Sequence, residues 1–285
     1  ACLLAGMNVH VVDNFRTGRR EFLPAPSMWD KDGSYRRGPE ATIFEADILN
    51  MESLLPAFDG CDWVIHLAAN PDARGERRGV DFNISQNLLG TANVLDAMLH
   101  VGTSRIVYAS SASVYGNTTQ TPTPEDFRLV PQASFYGASK LAAEGLIGAY
   151  CEMHDFTAIL GRWVHILGER YLHGHIIDFI RKLRKQPERL HILGDGNQAK
   201  SGLHAANLAE GLLLAMESVD TTEGACEAYN FGGDTLLPVK ESARLIAEEV
   251  MGLRPEYTFS GRKNGGWIGD NPSLVLDWSK AAQLG

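Results

Sequence analysis

Tyr136 and Lys140 are the residues whose types and spacing most clearly suggest chemistry. They stand four positions apart within the segment 135–140, so on a helix they share one face, one turn from each other. An ammonium beside a phenol favours the phenolate and lowers the pKa of the tyrosine from its reference value of about 10. The pair therefore predicts a tyrosine that exchanges protons near neutral pH.

Small hydroxyl side chains follow the apolar segment 105–109, just upstream of this pair. Residues 110–113 are Ser-Ser-Ala-Ser. A turn of this kind at a strand end can bring a hydroxyl beside the tyrosine and lysine of the next helix. Ser111 is our candidate to act with Tyr136 and Lys140 on a single carbon–oxygen bond.

Asp13 ends an apolar segment, 8–13, that follows a helix-closing glycine, Gly6. In a dinucleotide-binding βαβ unit this segment is the second strand, and its terminal carboxylate binds the adenosine ribose hydroxyls. We therefore expect the first strand and a Gly-rich phosphate turn to precede residue 1. The alternative is that Asp13 only caps the loop that follows it.

An acid at this position also bears on the choice of cofactor. It prefers a free 2′-hydroxyl and repels a 2′-phosphate, which predicts NAD rather than NADP. The nearby Arg16, Arg19 and Arg20 argue the other way, because arginines in such a loop can hold a 2′-phosphate.

The remaining elements of the first half must position these side chains. Asp47 follows the next apolar segment and could bond the adenine amine, while the small residues after His66 allow a pyrophosphate to approach closely. His66 itself is expected to be a core histidine, and Asn87 to face solvent or cap locally. Strands are predicted at 41–48, 61–70 and 157–164, helices at 53–58, 81–99 and 136–150, and a polar loop at 18–40.

The alternation of strands and helices loosens in the second half. Lys200, after a Gly-Asp-Gly turn, is either an anion ligand or a solvated lysine. We expect residues 1–160 to form an NAD-binding domain, and residues 161–285 to add late strands and a smaller substrate-binding lobe. Helices are predicted at 173–185, 207–218 and 238–251, and strands at 190–193 and 229–233.

Composition limits the class of protein. The chain has 285 residues, a net charge of −9 and 44% hydrophobic residues. It can therefore bury a large α/β core, and it gives no electrostatic reason to expect nucleic acid or an anionic membrane as partner. No apolar run approaches the ~20 residues of a membrane span, and no signal peptide is visible. The four dispersed cysteines lack metal-ligand spacing, so we expect reduced thiols, no metal and a cytoplasmic location.

Taken in order, these motifs resemble the NAD-dependent epimerase/dehydratase family of extended short-chain dehydrogenase/reductases, most closely the UDP-glucose 4-epimerases. The resemblance extends over nearly the whole chain. It implies a Rossmann-type doubly wound parallel sheet with a smaller C-terminal substrate-binding lobe, with NAD as cofactor and a UDP-sugar as substrate. It also implies a homodimer that pairs through helices at 82–99 and 139–150.

The resemblance assigns roles to individual residues. The catalytic residues it implies are Ser111, Tyr136 and Lys140, and the substrate-binding residues are Ser111, Tyr136, His165 and Lys200. The implied cofactor-binding residues are Asp13, Asn14, Asp47, Ile48, Leu67, Ala68, Ala69, Asn70, Asn87, Ser111, Tyr136, Lys140 and Val164.

Three departures from the family pattern fall in the region expected to bind the diphosphate. His165 stands where the family often has an asparagine, and Lys200 stands where it has an arginine able to bind phosphate through two parallel bonds. An arginine expected in the tail is replaced by Asn264 and Gly265.

The residues after Ser111 distinguish the subclasses of the family. Its 4,6-dehydratases carry Asp-Glu there, and its decarboxylating members carry an acid at the second position, whereas this chain has Ala112 and Ser113. The resemblance therefore favours 4-epimerisation of UDP-glucose and UDP-galactose, with N-acetylhexosamines or uronic acids as competing substrates. An NAD(P)-dependent reductase or dehydrogenase and a non-catalytic nucleotide-binding protein are the alternatives.

Overall fold

A computed structural model describes residues 1–23, 28–29, 35–36, 41–71, 79–128, 130–172, 174–220, 224–261, 265–267, 269–270 and 273–285. Its strands are β1 (Val9–Asp13), β2 (Met28–Trp29), β3 (Tyr35–Arg36), β4 (Ala41–Glu45), β5 (Val64–His66), β6 (Arg105–Ala109), β7 (Thr157–Trp163), β8 (His165–Leu167), β9 (Arg189–Ile192), β10 (Ala199–His204), β11 (Cys226–Phe231), β12 (Leu236–Pro238), β13 (Glu256–Phe259) and β14 (Ser273–Leu274).

The helices follow the predicted segments closely. They are α1 (Leu55–Phe58), α2 (Gly79–Asn83), α3 (Gly90–Val101), α4 (Phe135–His154), α5 (His175–Lys185), α6 (Ala205–Ser218), α7 (Val239–Arg244) and α8 (Ser279–Ala282). π-Helical turns join α2 to α3 at Ile84–Leu89 and extend α7 at Leu245–Val250. Most of the predicted loop at 18–40, together with Asn264, lies outside the described residues.

A parallel sheet with helices on both faces forms the larger part of the fold. Its strand order is β11-β7-β6-β5, and β1 pairs in parallel with β4 in a separate two-stranded ladder. β6 and β7 are almost wholly buried, as expected for parallel strands covered on both sides, which explains their continuous apolar sequences. This arrangement confirms the predicted doubly wound α/β fold.

The two faces of the sheet have separate cores. On one face, α3 and α4 pack through Leu95, Met98 and Ile147 against residues of β6. On the other, Leu208 and Leu212 of α6 pack against Val107 and Ile159. The helix that carries Tyr136 and Lys140 is therefore fixed along its length by the core.

A smaller cluster of elements follows β8. α5 and the helical segment 239–250 pack around β9 through Phe179, Leu183 and Ile246. β10 joins β8, β12 and β14 in a mixed sheet. The division into domains at residues 160 and 161 stays a prediction. No helix in the described part of the chain is long and apolar enough to cross a membrane.

Candidate active site

The predicted site residues lie where the parallel strands end. Asp13 ends β1, Asp47 follows β4, Leu67 follows β5, Ser111 follows β6 and Val164 follows β7. In open α/β sheets, ligands bind in the crevice outside the carboxyl ends of the strands. The fold therefore gathers side chains that are up to 151 positions apart in the sequence along one edge.

Ser111 and Tyr136 meet at this edge. Ser111 caps a short 3-10 turn, Ala112–Tyr115, and its hydroxyl accepts a bond from the Ser113 amide at 3.1 Å. Ser134 caps α4 by accepting from the Gly137 amide at 3.0 Å, which sets Tyr136 in the first turn of the helix. The Ser111 hydroxyl lies near enough to the Tyr136 phenol to lower the pKa of that phenol, and it also donates to the Ser113 hydroxyl at 3.1 Å.

Lys140 lies one turn further along α4 and is buried. Its ammonium donates to the Ala109 carbonyl at 2.7 Å and lies 4.8 Å from the centre of the Tyr108 ring. Burial lowers the pKa of Lys140 to about 8, and the nearby Glu144 opposes that fall. The spacing of the motif thus places a buried lysine beside the strand end, and the perturbation of its own pKa is a feature that the sequence did not predict.

The expected effect of Lys140 on the tyrosine is not what the structure shows. Burial raises the pKa of Tyr136, and the hydrogen bond with Ser111 is what opposes the rise. The physical reason is that the ammonium is directed at the Ala109 carbonyl, while the phenol is surrounded by protein. The sequence prediction of a pKa lowered by Lys140 was therefore wrong for this arrangement.

Three polar residues at the ends of β1 and β4, namely Asp13, Asn14 and Asp47, could hold the adenosine end of NAD. Asp13 accepts from the Phe15 amide at 2.7 Å, and its carboxylate lies so close to Gly18 that a Cβ there would meet it at 2.5 Å. Asp47 accepts from Asn14 at 2.9 Å and from the Leu49 amide at 2.9 Å. These carboxylates fit a ligand that offers hydroxyl and amine donors.

Ile48 is the member of the predicted cofactor set that the structure places in the core. Its side chain is buried and packs directly on Gly90, where a Cβ would meet Ile48 at 2.5 Å. Its carbonyl accepts from Asn93 at 2.8 Å. Its side chain and its carbonyl are therefore engaged within the protein, and its contact with the cofactor stays a prediction.

The segment after β5 offers an apolar surface at the same edge. Leu67 is 61% exposed and Ala68 is also exposed, with Ala69 half-buried behind them. Two hydrogen bonds from the Asn87 side chain hold the backbone of Asn70. The Asn87 side chain accepts from the Asn70 backbone amide at 2.7 Å and donates to the Asn70 carbonyl at 3.3 Å. An apolar surface beside polar strand ends fits a dinucleotide that lies across the sheet.

Asn87 and His66 lie beneath that segment. Asn87 is buried and donates to Ser139 of α4 at 2.9 Å, so the expectation that it faces solvent was wrong. The buried neighbours on α4 and after β5 supply its partners. His66 is buried and bonded to Thr91 at 3.0 Å, which confirms a core histidine.

Two of the three arginines near Asp13 are engaged by acids. Arg20 forms an ion pair with Glu45, which lies opposite Asp13 in the β1–β4 register. The guanidinium of Arg19 lies 3.7 Å from the carboxylate of Glu21. These pairs reduce the positive charge available to a 2′-phosphate, which agrees with NAD as the cofactor.

A cleft opens beside Ser111. Its lining includes Ser111, Val164 and Lys200, three of the predicted site residues. Lys200 forms an ion pair with Asp270 at 2.7 Å, and the Asp270 side chain is nearly inaccessible. The prediction of either an anion ligand or a solvated lysine therefore omitted a buried acidic partner 70 positions away.

Sequence reasoning missed most of the remaining cleft wall. Trp163, Trp267 and Ser134 also line it, beside Ser113 of the Ser-Ser-Ala-Ser turn that the sequence had identified. Only the capping pattern at Ser134 gave any signal in the sequence, because the segment around Trp267 has no periodicity. His165 lies apart from this lining, and its ring bonds the Tyr171 hydroxyl at 2.6 Å.

Comparison with known proteins agrees with this geometry. The family model for the NAD dependent epimerase/dehydratase family matches residues 1–232. The chain belongs to that family. Its cofactor is accordingly NAD.

Individual relatives are similar over most of their length. The chain is 29% identical to the UDP-glucose 4-epimerase of Bacillus subtilis over 92% of this chain and 80% of the relative. A crystal structure of UDP-galactose 4-epimerase superposes with a TM-score of 0.83 at 31% identity, covering 99% of this chain and 85% of that one. MoeE5, solved with UDP-glucuronic acid and NAD, superposes with a TM-score of 0.78 at 27% identity, covering 99% and 86%.

Proposed function

We propose that this enzyme interconverts a UDP-hexose with its C4 epimer, most readily UDP-glucose with UDP-galactose. The observation that carries the proposal is the proximity of the Tyr136 phenol to Ser111, which lines a cleft, with the buried Lys140 one turn further along the helix. Similarity to UDP-glucose 4-epimerases supports the same reaction.

In this proposal Asp13, Asn14 and Asp47 hold the adenosine end of NAD, and Lys140 and Val164 lie at its nicotinamide end. NAD, when bound, supplies a reversible hydride acceptor and a positively charged ring. The protein's own task is to place the sugar, exclude water and move a proton.

Tyr136 takes the proton from the sugar hydroxyl at C4 and later returns it. Ser111 bonds the same sugar oxygen and shares the proton through its contact with the phenol. Because burial raises the pKa of Tyr136, the phenolate needs nearby positive charge. The Lys140 ammonium is directed at the Ala109 carbonyl in the structure, and in this proposal it supplies that charge once NAD and the sugar are bound.

The residues after Ser111 support epimerisation over elimination. Ala112 and Ser113 line the cleft at these positions, and neither side chain carries a carboxyl group. Removal of water or of carboxylate would need an acid or base there. An NAD(P)-dependent reductase or dehydrogenase remains the second candidate, since the same Ser111, Tyr136 and Lys140 would serve a single oxidation or reduction.

The UDP diphosphate is expected near Lys200 and His165. Lys200 lines the cleft beside Trp267 and carries its charge into it, while Asp270 limits how far that charge is available. The C6 substituent could be a hydroxymethyl or a carboxylate, because a similar protein, MoeE5, was solved with UDP-glucuronic acid.

A panel of nucleotide sugars tests the proposal. Purified enzyme is incubated with UDP-, GDP-, CDP- and dTDP-sugars, and C4 epimers are resolved by chromatography or NMR. We expect turnover of UDP-hexoses without added reductant. The absence of turnover with every UDP-sugar would overturn it, and consumption of added NADH or NADPH would favour the reductase.

A further inference from the structure

Three consecutive residues at the end of β6 face three successive turns of α4. Ser111 lies near the Tyr136 phenol. The Ala109 carbonyl accepts from Lys140 at 2.7 Å, and Ser110 donates to Glu144 at 2.5 Å. The first two contacts involve the residues proposed to do the chemistry. The third lies one turn further along α4, between residues that do not line the cleft.

The acid of this third contact is fixed from its other side. Arg162 of β7 donates to Glu144 from Nε at 2.9 Å and from Nη2 at 2.7 Å. Glu144, Arg162 and Ser110 are all buried. Two parallel charge-assisted bonds set both the distance and the orientation of the carboxylate, which one flexible contact cannot do.

Arg162 is in turn held by groups from other parts of the chain. Its Nη1 donates to the Tyr115 hydroxyl at 3.0 Å and to the Glu125 carbonyl at 3.0 Å. Tyr115 donates to Asn230 of β11 at 2.8 Å. Through these hydrogen bonds, the position of the Glu144 carboxylate is fixed relative to β7, to β11 and to the turn that begins at Ser111.

We propose that Ser110, Glu144 and Arg162 form a positioning unit that holds the Ser111 turn and the Tyr136–Lys140 face of α4 in register for proton transfer. The kinetic consequence rests on the proposed function. The positioning itself is a property of the folded chain and is measurable without substrate.

The unit also sets the electrostatic surroundings of Lys140. Glu144 raises the pKa of Lys140 against the effect of burial. The other groups that face the ammonium are the Tyr108 ring of β6, His66 of β5, whose own pKa the Lys140 charge lowers, and the Ala109 carbonyl. Glu144 is the one acid of the described residues that acts on the pKa of Lys140, so its charge keeps this lysine protonated to higher pH.

Two variants distinguish the effect of the Ser110–Glu144 hydrogen bond from the effect of the negative charge on Glu144. Ser110→Ala removes the donor but leaves Glu144 paired with Arg162, so no buried charge loses its partner. Glu144→Gln keeps an acceptor of similar size but removes the charge. Thr103→Val is the matched control, because Thr103 is also buried and donates to the Cys61 carbonyl at 3.0 Å, at the opposite end of the neighbouring helix.

Ser110→Ala should lower kcat about tenfold with KM changed less than twofold, because a displacement of reacting groups by about 1 Å can cost up to 10²-fold. Amide hydrogen exchange at residues 110–113 should accelerate. Thr103→Val should keep kcat within twofold of wild type. An unchanged kcat and exchange rate in Ser110→Ala, or an equal loss of kcat in Thr103→Val, would overturn the proposal.

Glu144→Gln should lower the titration midpoint of the Lys140 ammonium by about 1 pH unit, since an opposite charge within reach shifts a pKa by about that much. The midpoint is measured by NMR on ¹⁵N-lysine protein, with Lys140→Met identifying the signal. An unchanged midpoint would refute the electrostatic part. If Glu144→Gln does not fold, the Ser110→Ala comparison still decides the positioning.

The two proposals fail separately. If wild-type enzyme turns over no UDP-sugar, the proposed function is wrong, and accelerated exchange at 110–113 in Ser110→Ala still supports the positioning unit. If wild type is an active epimerase and Ser110→Ala matches it in kcat and exchange, only the positioning unit is wrong.

Discussion

At the scale of single residues, Tyr136 has the most specific expected role. It lies in the first turn of α4, near Ser111, in surroundings that raise its pKa. Its side chain is half-buried and belongs to none of the apolar cores. A change that removes only this oxygen should therefore leave the fold and the cofactor site intact.

Tyr136→Phe should lower kcat by about 10²–10⁴-fold, the usual contribution of a general acid–base group, with NAD still bound. Turnover of UDP-galactose gives kcat, and nucleotide released on denaturation gives NAD occupancy. Phe135→Leu, at the exposed neighbouring position, is the control for disturbance of the helix start. More than a tenth of wild-type kcat in Tyr136→Phe would mean that another group moves the proton.

Lys140→Met should differ from Tyr136→Phe in both readouts. It removes the positive charge one turn from the phenol, so the pH at which activity rises should move upward. It also removes a predicted NAD contact, so cofactor occupancy should fall. A pH–rate profile and the released NAD check both effects, and an unchanged profile with full NAD occupancy would exclude Lys140 from the site.

At the scale of elements, the sequence was sufficient to predict which residues lie at the carboxyl ends of the parallel strands. It was not sufficient to predict the residues of the cleft wall. The largely apolar sequences at 105–109 and 157–163 identify buried parallel strands, so Ser111 and Val164 were placed correctly at their ends. The Lys200–Asp270 ion pair joins β10 to a tail segment without periodicity, and only the folded chain reveals such a contact.

Burial also explains why the location of Asn87 and the pKa of Tyr136 differ from the sequence predictions. Asn87 was expected at the surface because asparagine is usually solvated on a helix, but Asn70 and Ser139 supply partners inside the protein. The pKa of Tyr136 was predicted from its nearest charge, whereas desolvation dominates it. Sequence spacing gives the neighbours along one helix, but not the elements that cover them.

His66, on β5, leads to a prediction about how the free energy of unfolding depends on pH in the acid range. Burial, with a contribution from Lys140, lowers the pKa of His66 to about 3, below its ordinary value of 6.5. The folded state therefore keeps His66 neutral while the unfolded state takes up a proton as the pH falls below 6.5. The stabilisation is complete above about pH 6.5 and is lost progressively as the pH falls toward 3.

His66→Gln should flatten this dependence. One proton bound only by the unfolded state changes the free energy of unfolding by about 1.4 kcal/mol per pH unit. Urea unfolding between pH 6.5 and 5 should show wild type losing more stability than the variant, with His191→Gln, an exposed histidine, as control. Equal slopes in wild type and His66→Gln would contradict a buried neutral histidine.

At the scale of the whole molecule, the helical segments that cover one face of the parallel sheet carry exposed apolar side chains. Ile84 and Leu89 of the π-helical turn, with Leu99 of α3 and Met153 of α4, are each more than 40% exposed. Ile84, Leu89 and Leu99 lie in the segment 82–99 that is predicted to pair in a homodimer, and Met153 follows the other predicted segment, 139–150, on the same helix. Burial of such a surface against a second copy would remove it from water.

Leu89→Arg should therefore shift the chain from dimer to monomer, because a charge would be buried in the interface. Light scattering after size exclusion at micromolar concentration gives the mass. Val250→Arg is the matched control, since Val250 is an exposed apolar residue at the end of the other π-helical turn. A wild-type mass equal to one chain would refute the predicted dimer.

The central claim is that the enzyme oxidises and re-reduces the same carbon of a UDP-hexose within one active site. UDP-galactose carrying deuterium at C4 tests it most directly, with purified enzyme and no added nicotinamide cofactor. We predict UDP-glucose that retains the deuterium at C4, and loss of this product in Tyr136→Phe. Failure to form UDP-glucose, or product in which solvent hydrogen has replaced the deuterium, would contradict the claim.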